Sequence, residues 1–111
     1  MEQFDIEKAM QHAVIKIETT GKEYAEAKGI SYHLQQMKKV VLAREMKGQM
    51  GTAANREMHA RASRRYEEHL EGTKQAIIDE TRLRAGYERW RAEYEACRSL
   101  LSLEKAKANI R

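Results

Sequence analysis

The chain has no proline, one cysteine, one phenylalanine and one tryptophan in 111 residues. Without proline, nothing forces a break inside a helix. The lone Cys97 excludes an internal disulfide, and no CxxC pair exists to hold a metal or run redox chemistry. Sparse β-branched and aromatic runs argue against a sheet. The longest apolar run falls far short of the about 20 residues that span a bilayer. Met1-Glu2-Gln3-Phe4-Asp5 has neither the basic flank nor the apolar core of a signal peptide. These absences point to a cytoplasmic protein with no membrane role.

What is present is helix-forming. Charged residues make up 34% and hydrophobic residues 41%, a balance that suits a narrow buried stripe. Apolar or small residues recur at Ile6, Met10, Ala13, Ile17, Tyr24 and Ala27, then at Ile30, Leu34, Met37 and Val41. Steps of three and four put them on one helical face. The rhythm slips beside Gly29, and Thr19-Thr20-Gly21 is a second weak point. The region is one kinked helix or two shorter ones. The reading favours helices over about 4–19 and 22–47. Gly48 suits a left-handed cap after Lys47, and Thr52 can cap the next helix.

After a turn at 48–52, one helix is expected over about 53–108. Its stripe reads Ala62, Tyr66, Leu70, Thr73, Ile77, then Leu83, Tyr87, Trp90, Tyr94, Cys97 and Leu101. That spacing is close to a heptad seam. A helix this long cannot bury its stripe alone, so the first region folds back along it. The expected fold is all-α: a single domain over 1–111, built as a long helical hairpin or antiparallel coiled coil with a short extra N-terminal helix. The first region is shorter by roughly ten residues, about 15 Å of helix. That shortfall predicts self-association, with a dimer favoured. Leu83, Tyr87, Trp90, Tyr94, Cys97 and Leu101 are its candidate interface.

Charge is unevenly placed. Lys38, Lys39, Arg44, Lys47, Arg56, Arg61, Arg64 and Arg65 face only Glu45 and Glu57, so this stretch is net +6 in a chain of net +4. The turn lies in its middle, which gathers the cations at one end of the hairpin. Those eight residues are the candidate nucleic-acid-binding set, through phosphate contacts that are salt-sensitive and blind to sequence. The alternative is a solvated face with local pairs such as Arg64 with Glu67 or Glu68. Aromatic interleaving, which would favour single strands, is poor.

Other motifs speak against catalysis. His12, His33, His59 and His69 form no i,i+4 pair, so no metal is expected. Gly48 and Gly51 lack the Lys-Ser/Thr of a phosphate loop. Cys97 shows no partner that would make it a nucleophile. The chain reads as a non-enzyme without a cofactor.

Gly51-Thr52, Arg56-Glu57, Ala60, Ala62 and Tyr66, followed by Tyr94, Arg98-Ser99-Leu100-Leu101-Ser102 and Glu104-Lys105, resemble a group of small helical proteins encoded by tailed bacteriophages. The similarity covers about residues 24–105 and is weak before 48. Such proteins are often encoded near phage single-strand annealing proteins and exonucleases. The resemblance implies a recombination or replication accessory acting in the bacterial host cytoplasm. It implies DNA, or a phage or host DNA-processing protein, as partner. It also makes Arg98 a candidate contact. Two other readings are a phage inhibitor of a host nuclease or defence complex, and a coiled-coil adaptor with no nucleic-acid role. A mimic of DNA is disfavoured by an isoelectric point of about 9.3.

Overall fold

A computed structural model describes residues 4–110; the extreme ends of the expected 1–111 domain lie outside them. The described chain is all-α, with helices α1 (Ile6–Lys47), α2 (Ala53–Arg61) and α3 (Arg64–Ile110). It is a helical hairpin whose contacts gather into two compact units. Unit 1 is Met1–Ala25 with Arg82–Arg111, and unit 2 is Glu26–Thr81. Each holds a stretch of α1 packed against a stretch of α3.

The helix ends follow local chemistry. Asp5 caps α1, its Oδ1 accepting from the Lys8 N–H at 3.1 Å. Thr52 caps α2 as expected, its hydroxyl accepting from the Asn55 N–H at 3.3 Å. The left-handed residue of the turn is Gly51, with φ +110°, rather than Gly48.

Two expected boundaries move. α1 runs unbroken through Thr19-Thr20-Gly21, so no separate N-terminal helix forms over 4–19. The hydroxyls of Thr19 and Thr20 turn back onto the carbonyls of Ile15 and Lys16, at 3.1 and 2.6 Å, within the helix. The interruption falls instead at Ala62-Ser63, between α2 and α3. Ser63 restarts the helix there: its hydroxyl accepts from the Tyr66 N–H at 3.2 Å.

In unit 1 the seam is aromatic. Trp90 meets His12 edge to face at 5.2 Å between ring centroids, and Tyr87 lies 5.9 Å from Tyr24. Arg84 donates from Nε to the Tyr24 hydroxyl at 3.2 Å. Gly21 is the close approach here. A Cβ on it would sit 3.1 Å from Cε2 of Tyr87, so the residue read as a helix weakness makes room for a ring. Gly29 has open space around the same atom. Gly29→Ala is therefore expected to stabilise by up to about 1 kcal/mol. Gly21→Ala should gain less or lose, because the Tyr87 ring must shift. Thermal melts of the two variants check this; equal gains would mean the ring yields freely.

In unit 2 the α3 side of the seam is small or polar apart from Tyr66, while α1 brings the half-buried Leu34, Met37 and Val41. The less exposed positions of α3 are Tyr66, His69, Thr73, Ala76, Asp79 and Glu80, not the expected Leu70 and Ile77. On α1, Ser31 is fully buried while Ile30 is 58% exposed. Gln35 donates to the Ser31 hydroxyl at 3.0 Å. His69 reaches across to the Leu34 carbonyl oxygen at 2.9 Å. A carbonyl only accepts, so the ring nitrogen Nε2 carries the proton.

Candidate functional site

All eight candidate cations lie in unit 2. Lys38, Lys39, Arg44 and Lys47 are on the last turns of α1, where the negative end of the helix dipole favours Arg44 and Lys47. Arg56 and Arg61 are on α2. Arg64 and Arg65 open α3, at its positive end. The dipole opposes cations at that place, and an incoming anion would be favoured there.

Their pairing separates them into groups. Glu57 accepts from Arg61 at 2.7 Å, and Glu68 accepts from Arg64 at 2.8 Å. The Glu57 hydrogen bond holds the Arg61 guanidinium above its usual pKa. These two cations are already partly neutralised, and the Arg64–Glu68 pair is one anticipated from spacing. Among the described residues, Lys38, Lys39, Arg44, Lys47 and Arg65 are exposed and have no carboxylate oxygen within 4 Å. Arg56 is half-buried, and its Nε is out of water with no acceptor. An unmet buried donor costs about 1–3 kcal/mol.

Geometry narrows the set further. Arg44 of α1 and Arg65 of α3 line one groove of about 440 Å³, with Val41, Glu45, Glu68 and His69. Lys38 belongs to a different groove, beside Leu70, Ile77 and Ile78. The structure thus brings Arg44 and Arg65 together and sets Lys38 apart. His69, on no candidate list, enters this groove because it holds a seam position. Its offset of three from Tyr66 and four from Thr73 was the available signal.

The stripe expected to join two protomers faces inward. Leu83, Tyr87, Trp90, Tyr94 and Leu101 are half-buried and Cys97 is buried. Tyr87 and Trp90 pack on Tyr24 and His12, while Leu101 borders Phe4 and Ile6. For Tyr87, Trp90 and Leu101, packing partners thus lie within the chain. Beyond Leu101, residues 102–110 are exposed. Arg98 is exposed and lies 3.7 Å from Glu95.

No helix among the described residues is long and apolar enough to cross a membrane. Among the same residues, no three His, Cys, Asp or Glu side chains gather to hold a metal ion. No known protein family, curated protein or solved structure matches this chain.

Proposed function

We propose that this protein is a non-enzymatic accessory that binds DNA through the basic end of unit 2, the role implied by its resemblance to phage recombination-associated proteins. One observation carries the reading. Arg44 and Arg65 come from different helices, lack carboxylate partners among the described residues and line the same groove. Two guanidinium groups held by separate helices can engage neighbouring phosphates without a loop having to order. Lys39 and Lys47 extend the field around them. Contacts to phosphates carry no sequence information, so binding through them is expected to be independent of sequence.

Titration of labelled single- and double-stranded DNA across a salt series tests this. The expected result is an association constant that falls linearly with salt on logarithmic axes. Absence of binding at low salt would make the cations a solvated face. The same unpaired cations would suit an acidic pocket on a host nuclease or defence complex. A pull-down from nuclease-treated lysate separates that reading, since one stoichiometric host protein would then be recovered without DNA.

A further inference from the structure

In unit 2, α3 carries an apolar face beside its seam with α1 that the chain covers only in part. Leu70, Ile77 and Ile78 stand beside the seam, 39%, 41% and 48% exposed. They line an open groove of about 530 Å³ whose only charged lining residues are Lys38 and Lys74. Leu70 and Ile77 begin a stripe of step seven that continues as Arg84, Arg91 and Arg98. In unit 1, Arg84 and Arg91 lie over the Tyr24 and Tyr87 rings, each 5.6 Å from a ring centroid. There the stripe is cationic and covers the seam. In unit 2 the same stripe is aliphatic and partly exposed. A helix packed on one neighbour does not need this extra apolar position, whereas a helix in a bundle does.

The charges select the occupant. Two copies of this groove face to face would bring the lysines of one against those of the other, a like-charge contact. The complement is an apolar helical patch flanked by carboxylates, and unit 1 presents one. Met10, Val14, Ile15 and Tyr94 form an open apolar patch with Gln11 and no charged lining residue. Val14 is 42% and Ile15 60% exposed. Glu7, Gln11, Val14 and Glu18 follow at steps of four, three and four, so acids bracket the patch on its own helical face.

We propose that the unit 2 groove receives the α1 patch of a second copy. Leu70, Ile77 and Ile78 of one chain pack on Val14 and Ile15 of the other, with Lys38 and Lys74 facing Glu7 and Glu18. Self-association then runs through these patches, and of the Leu83–Leu101 stripe only Tyr94 lines one of them.

Sedimentation equilibrium of the full chain, without nucleic acid, tests this independently of DNA binding. The wild type is expected to exceed the single-chain mass of 12.9 kDa. Ile77→Asp should keep the circular dichroism of the wild type and raise the dissociation constant about tenfold or more. Lys38→Glu with Lys74→Glu should also weaken association, and adding Glu7→Lys with Glu18→Lys should restore it. A wild type that stays monomeric at its highest soluble concentration overturns the proposal. So does an assembly indifferent to Ile77→Asp, or a charge swap without rescue. A monomeric wild type whose groove instead captures a foreign protein also overturns it.

Discussion

Arg44→Gln combined with Arg65→Gln is expected to weaken DNA binding at least about tenfold and to flatten the salt dependence by about two logarithmic units per unit of log salt. Each contact to a phosphate releases roughly one counterion, so two lost contacts remove about two units of slope. Both side chains are exposed, so helicity should be unchanged. Arg61→Gln with Arg64→Gln removes the same formal charge and should flatten the slope by less. Those guanidinium groups already donate to Glu57 and Glu68, and a phosphate would have to displace a carboxylate to reach them. Binding isotherms for both double variants at several salt concentrations decide the matter. Equal losses would show a diffuse charge effect and remove the groove as the site.

Tyr66→Ala is expected to destabilise the fold by about 3 kcal/mol, in the range of other large-to-small aromatic truncations in cores. Tyr66 is 2% exposed and is the largest side chain on the unit 2 seam. Its α3 neighbours along that seam, His69, Thr73, Ala76 and Glu80, are small or polar, so Tyr66 supplies most of the apolar burial from the α3 side. Tyr66→Phe keeps the ring and should retain most of the stability. Urea denaturation followed by circular dichroism measures both variants. A loss below about 1 kcal/mol for the alanine variant would place Tyr66 outside the core. The groove lined by Arg44 and Arg65 lies in the same unit, so Tyr66→Ala should also weaken DNA binding while leaving every cation in place.

The aromatic half of α3 was legible from spacing alone. Leu83, Tyr87, Trp90, Tyr94, Cys97 and Leu101 alternate steps of four and three and occupy the seam they predict. The upstream half misleads. Ile77 to Leu83 is a step of six, which no single helical face accommodates, so one of the two registers has to give way. The regular run from Leu83 to Leu101, extended backward by threes and fours, puts Ala76 and His69 inward and leaves Ile77 and Leu70 outside. Gly29 invited the opposite error on α1. A register slip there would bury Ile30, but the unbroken helix buries Ser31. Ser63 could have been read as a cap. No glycine or proline before it marks a stop, so only the cap itself signals the break.

For the candidate site, composition showed where the cations cluster but not which of them are free. Charge counts do not see that Arg61 and Arg64 have carboxylates four residues away in bonding geometry, or that Arg44 and Arg65 converge from different helices. The six-residue stripe assigned to a protomer interface illustrates the same limit. Its spacing requires a partner helix but is silent on whether that helix belongs to the same chain.

By itself the sequence determined an all-helical chain, the turn at residues 48–52 and the concentration of positive charge around it. Each follows from local propensity, capping and counting, which act over a few residues. Only the tertiary structure decided which register α3 shows to α1, which guanidinium groups lack a carboxylate and which apolar residues remain bare. Those outcomes depend on how two long helices accommodate each other. Residues far apart in the chain settle that together, and no local window contains them.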